Sequence, residues 1–112
     1  MPYNEQLANR VREALMDEPV IEEKKMFQGV CFLVDNKMCV CVGKDGLLCR
    51  VGQQQAHIEL EKGHCTQMIN AGRVMKDFVY VDETEVESTK GLNYWIALCL
   101  AFNPLAKASK KK

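Results

Sequence analysis

This chain lacks most of the patterns that would announce an activity. Its longest unbroken apolar run, Trp95 to Phe102, is far short of the ~20 residues a membrane helix needs, so no transmembrane span is expected. The opening MPYNEQLANRVREAL has no apolar segment of the kind a secretory leader carries. No glycine-rich phosphate loop is present, since Gly43-Lys44-Asp45-Gly46 reads as a hairpin turn. There is no internal repeat and no linker that would separate two domains, and formal net charge is zero. A cytoplasmic protein is the expectation, with its six cysteines held as free thiols in a reducing compartment.

The charge is unevenly spread. Lys107, Lys110, Lys111 and Lys112 hold four of the fifteen basic residues, leaving eleven against fifteen acids and a body of about −4. An acidic body argues against an extended phosphate-binding surface, so direct nucleic-acid binding is not expected. The lysine tail reads as solubilising.

At 112 residues the chain suits one domain that buries about two-thirds of its unfolded surface. Residues 1–103 are assigned to that domain and 104–112 to a basic disordered tail. The segment Met26–Val51 organises the rest. Its three short apolar runs are separated by Asp35-Asn36 and Asp45-Gly46, dipeptides suited to tight hairpin turns, so it reads as a three-stranded antiparallel meander.

Two-residue turns at both dipeptides set a register. One face then carries Cys31, Leu33, Met38, Val40, Val42, Leu47, Cys49 and Val51. The other carries Val30, Phe32, Cys39, Cys41 and Leu48 with Lys37 and Arg50. A three-residue loop Lys44-Asp45-Gly46 with a bulge would flip the third strand. The first face is the expected core. The second is too apolar for open water, which marks Val30, Phe32, Cys39, Cys41 and Leu48 as a partner interface.

Elsewhere the punctuation is local. Asn4 can cap a helix to about Met16, ended by Asp17-Glu18-Pro19. Val20 to Lys25 is a short strand or extended lead-in. Gln53–Glu61 is a short helix with Ala56 and Leu60 inward and Gly63 as its stop. His64–Val74 is hard to read apart from a turn at Asn70-Ala71-Gly72. Phe78-Val79-Tyr80-Val81 sits in a strand over Met75–Val81. Leu92, Trp95, Ile96, Cys99 and Phe102 form the stripe of a last helix from about Thr89, ended by Pro104. The fold class is α+β: an antiparallel sheet with an N-terminal, a short middle and a C-terminal helix on one face.

Several residue groups carry a resemblance. They are Tyr3-Asn4-Glu5-Gln6-Leu7, Lys25-Met26-Phe27-Gln28-Gly29, Asn36-Lys37-Met38, Leu48-Cys49-Arg50-Val51, Gly72-Arg73-Val74-Met75-Lys76-Asp77-Phe78-Val79-Tyr80-Val81 and Tyr94-Trp95. Together they resemble the N-terminal domain of the TfoX family over nearly the whole chain. Gln28 stands where the family pattern has glycine, and Val74 where it tends to proline. The resemblance implies a secretion-chaperone-like two-layer fold and a stand-alone relative of competence regulators whose full-length members carry a second, C-terminal domain. It supplies no catalytic residues.

Three further residue groups bear on chemistry. Cys39, Cys41, Cys49, His64 and Cys65 could suggest zinc, but a mid-strand C-x-C lacks the usual turn spacing, and buried packing is the expectation. Cys65 or Cys31 with His57 or His64 lacks an orienting third group, so no nucleophilic pair is assigned. Lys25, Arg50, Arg73 and Lys76 could converge on a carboxylate or phosphate, the alternative function of an anion sensor. The leading expectation is a non-enzymatic regulatory module, free of metal and cofactor, that forms a homodimer or binds a regulatory protein.

Overall fold

A computed structural model describes residues 4–18, 21–26 and 29–106. Helix α1 (Glu5–Ala14) opens the chain, followed by strands β1 (Ile21–Met26), β2 (Gly29–Val34), β3 (Lys37–Val42) and β4 (Gly46–Arg50). Helix α2 (Gln53–Lys62), strands β5 (Thr66–Asn70) and β6 (Arg73–Asp82) and helix α3 (Thr89–Phe102) complete it. All strand pairs are antiparallel, in the order β1-β2-β3-β4-β6-β5, so β6 inserts between β4 and the last edge strand. The fold is the expected α+β two-layer arrangement. No helix among the described residues is long and apolar enough to cross a membrane.

The helix ends obey local chemistry. Asn4 accepts a hydrogen bond from Leu7 N–H at 3.0 Å, and Ser88 accepts one from Gly91 N–H at 2.9 Å. Gly63 stops α2 in the left-handed conformation (φ 83°). Gly52 precedes α2 at φ 92°, and a Cβ there would lie 2.6 Å from Phe102 Cδ1, so close packing and backbone conformation both demand glycine. After α3, Asn103–Leu105 form a short 3-10 turn and Ala106 is buried, so ordered structure continues past 103. Lys107–Lys112 lie outside the described residues. The buried Asn103 amide donates to Val34 O at 3.1 Å and its own carbonyl accepts from Lys37 Nζ at 3.2 Å, tying the end of α3 to the β2–β3 hairpin.

That hairpin turns at Asp35-Asn36, both with positive φ (55° and 65°), as expected for a two-residue turn. The register beyond it is different. Leu33 pairs with Met38, but Phe32 pairs with Val40, leaving Cys39 as an extra residue in β3. This bulge puts Cys39 and Val40 together on the helix side and reverses the two faces of β2 relative to an unbroken ladder. The β3–β4 turn is also shifted: Val42 pairs with Leu47, and Gly43 N–H donates to Gly46 O at 2.9 Å. A slip by two residues preserves alternation, so Leu47, Cys49 and Val51 remain on the helix side.

The helix-covered core therefore contains Val30, Phe32, Val34, Cys39, Val40 and Val42 beneath Leu7, Val11, Trp95 and Ile96. The Arg12 guanidinium of α1 lies 5.6 Å from the Phe32 ring centre. The opposite face gathers Cys31, Leu33, Cys41, Leu48 and Phe78, with Met38, Met68 and Met75 packed against them. Every member of this second cluster comes from a strand; the flexible thioethers close over the sheet. Cys31 and Cys41, directly opposite in the β2–β3 pair, are joined by a disulfide, so the expectation of six free thiols is corrected.

Candidate functional site

The five residues expected to form an exposed interface do not. Val30, Phe32 and Cys39 belong to the helix-covered core, moved there by the bulge at Cys39. Cys41 and Leu48 do lie on the second face, yet they are only 3% and 8% exposed. Among the described residues, neither face of the central meander offers an open apolar patch.

The cationic set is dispersed by the strand order. Lys25 sits on edge strand β1, and β2, β3 and β4 separate it from the β6 residues Arg73 and Lys76. Arg50 is engaged locally: its guanidinium lies 5.5 Å from the Phe78 ring centre and 6.0 Å from that of Phe102, and Nη1 donates to Met38 O at 3.4 Å. These four residues make no common pocket.

The thiols and imidazoles are similarly divided. Cys39 and Cys41 face opposite sides of the sheet, so the C-x-C pair cannot converge on one ion. Among the described residues no group of three or more His, Cys, Asp or Glu side chains is placed to hold a metal. A hydrogen bond with Cys99, then burial, pushes the Cys39 thiol far up. Burial, followed by the charges of Glu59 and Glu85, pushes Cys65 up to about 11, which leaves it a protonated thiol near neutrality. His57 and His64 approach Glu61 and Glu85 at 3.4 and 3.7 Å, both imidazoles exposed.

Two features were not foreseen. The first is a buried carboxylate. Glu59 on α2 is 1% exposed, and its Oε2 accepts from Tyr94 Oη and Gln55 Nε2, each at 2.7 Å, and from Lys62 Nζ at 3.5 Å. The hydrogen bond to Tyr94, then the Glu59 charge, raises the Lys62 ammonium above its ordinary range. Glu59, Lys62 and Tyr94 of this network, with His64, Glu85 and Lys90, line a cleft of about 450 Å³. The bonds around Glu59 are internal, and they lock α2 to α3.

The second is a larger cleft of about 980 Å³ between α2 and the β5–β6 hairpin. Ala56, Ile58 and Leu60 of α2 and Val74 of β6 make its apolar lining; Gln53, Gln54, His57, Gln67 and Lys76 supply the polar groups. Ile58 and Val74 are 46% and 51% exposed, and Ile69, the cross-strand partner of Val74, is 63% exposed. Three of the six large apolar side chains exposed among the described residues thus share this corner; the others are Met16, Tyr94 and Leu105. A register shift between β5 and β6 shapes it, and the Gln67 amide fills the irregularity by donating to Met75 O at 3.1 Å and Phe78 O at 3.4 Å. Ile58 on the otherwise polar outer side of α2 was the sequence signal, an apolar residue out of phase with Ala56 and Leu60.

No curated protein and no solved structure matches the chain. The family model for the TfoX N-terminal domain matches residues 6–103, which run from the first turn of α1 to the turn after α3. That span covers both faces of the sheet and the α2/β5–β6 corner, and membership suggests a competence-regulator-like module. The chain belongs to the TfoX N-terminal domain family.

Proposed function

We propose that this domain is a non-enzymatic protein-binding module and that its partner docks at the α2/β5–β6 corner. The observation that carries this reading is the exposure of Ile58 and Val74 in the lining of one largely apolar cleft, with exposed Ile69 paired to Val74 across the hairpin. Apolar side chains grouped in this way on an otherwise well-buried domain are characteristic of an interaction surface. The upward-shifted thiols of Cys39 and Cys65 and the hydrogen-bonded Glu59 network support a binding role over a catalytic one. A homodimer made by stacking open sheet faces loses its surface, since Val30, Phe32 and Cys39 lie beneath the helices.

Site-specific photo-crosslinking in cells tests the reading. A benzophenone side chain replacing Ile58 or Val74 should give a discrete protein adduct. The same group replacing exposed Glu22 on β1 should not. Indistinguishable adduct patterns from the two edges would sink the assignment of the corner.

A further inference from the structure

The sheet has two edges, and they are built differently. Edge strand β1 reads Ile-Glu-Glu-Lys-Lys-Met, with Glu22, Glu23, Lys24 and Lys25 all exposed. Glu23 is held in place by Arg12, whose Nε and Nη2 donate at 2.6 and 2.8 Å. Charges along an edge deter the pairing of another strand. Edge strand β5 reads Thr-Gln-Met-Ile-Asn and carries no charge. Among the described residues it pairs with β6 alone, which leaves its outer row of backbone groups without a strand neighbour.

What lies beside β5 defines what can pair with it. Ile69 and Val74 face each other across the hairpin, and Val74 shares the cleft lining with Ile58, so an apolar strip leads from the edge into the cleft. Lys76 lines the same cleft and no carboxylate does; Arg73 is exposed at the hairpin end. We infer that β5 accepts an added strand, an extended segment of a partner protein that lays apolar side chains on Ile58, Ile69 and Val74 and brings a carboxylate to Lys76. Main-chain pairing supplies affinity and the side chains supply selection, as in other strand-addition complexes. A second copy of this chain is the poorer fit, because its own β5 brings no carboxylate and carries Arg73 and Lys76 with it. This inference rests on the partner-docking reading of the corner and adds the conformation and charge of what docks.

The test is an amide NMR titration of the whole chain with a capped hexapeptide, Val-Thr-Val-Thr-Glu-Thr, and with its counterpart carrying Lys in place of Glu. Expected are saturable shifts and slowed exchange at Thr66–Asn70, with the Lys peptide about tenfold weaker. Ile69→Lys gives β5 the kind of charge that guards β1, and should weaken the Glu peptide by at least about tenfold while leaving the remaining spectrum folded. Equal binding of the two peptides overturns the charge assignment. Concentration-dependent shifts at β5 without peptide overturn it in favour of self-pairing, and the corner stays an interface. Silence toward both peptides, with crosslinks still formed from Ile58, overturns strand addition alone. Silence in both experiments overturns the docking reading as well.

Discussion

Replacing Phe32 by alanine discriminates between the two placements of β2. Phe32 is fully buried beneath α1 in the helix-covered core. Truncation removes the transfer free energy of the ring and leaves a cavity that the surrounding strands and helices fill only in part, a combined cost of about 3–5 kcal/mol. For a small domain that is a large share of a total stability of about 5–15 kcal/mol. With a urea m-value of about 2 kcal/mol/M, the midpoint should fall by about 2 M. Trp95, the chain's single tryptophan and 2% exposed, reports the transition by fluorescence. An unbroken β2–β3 ladder with an open second face, the arrangement the sequence register implies, would leave Phe32 exposed, and substitution of an exposed residue costs within about ±0.5 kcal/mol, roughly 0.25 M. A fall of less than about 0.5 M would refute the bulge at Cys39 as the device that sorts the faces.

Other outcomes follow from single sites. Tyr94→Phe withdraws a donor from buried Glu59 and should cost about 1–3 kcal/mol in the same urea assay; adding Glu59→Leu should recover part of the loss, and no recovery would argue against the network. Thiol counting under denaturing, non-reducing conditions should find four reactive cysteines, Cys39, Cys49, Cys65 and Cys99, rising to six after reduction; six at the outset would contradict the Cys31–Cys41 bond. Gly52→Ala should cost about 1–3 kcal/mol more than Gly63→Ala in thermal unfolding, because both have positive φ but only Gly52 packs on Phe102. The side-chain hydrogen bond from Thr84, with its backbone N–H second, holds Asp82 below the usual carboxylate range, so its stabilising contribution is present above the unfolded-state pKa and is lost as acid titrates it. Thr84→Val should move the Asp82 midpoint upward in an NMR titration; no movement would exclude the hydroxyl as the cause.

What could be read from the residues was whatever is decided within one or two turns of chain. Asn4, Asp35-Asn36, Gly63 and the α3 stripe each act on near neighbours, and each appears where local chemistry puts it. The face assignment required counting alternation through β3, and one unpaired residue inverts such a count. Nothing in Met38-Cys39-Val40 distinguishes a bulge from a regular strand, since all three are apolar. The β5–β6 pairing was hidden for a related reason: its register shifts at Met68, and Gln67 satisfies carbonyls that a regular ladder would use. The α2/β5–β6 corner was missed because Ile69 and Val74 meet across a hairpin of shifted register and Ile58 of α2 joins them only once β6 enters the sheet beside β4. Lys25, Arg50, Arg73 and Lys76 failed to converge for the same topological reason.

The tether at Asn103 has a consequence for how the protein emerges from the ribosome. Its amide and carbonyl bind Val34 and Lys37, partners 69 and 66 positions earlier in the chain. The central hairpin is synthesised early, yet the helix that roofs it and the residue that fastens its turn are among the last described residues to appear. Until then the nascent meander has only α1 to cover it, and the apolar surface of β3 and β4 on which α3 packs stays bare. Emergence of α3 and Asn103 is therefore the step at which this surface is sealed, and a nascent chain that has not yet reached Asn103 is exposed to the hazards that holdase chaperones exist to prevent.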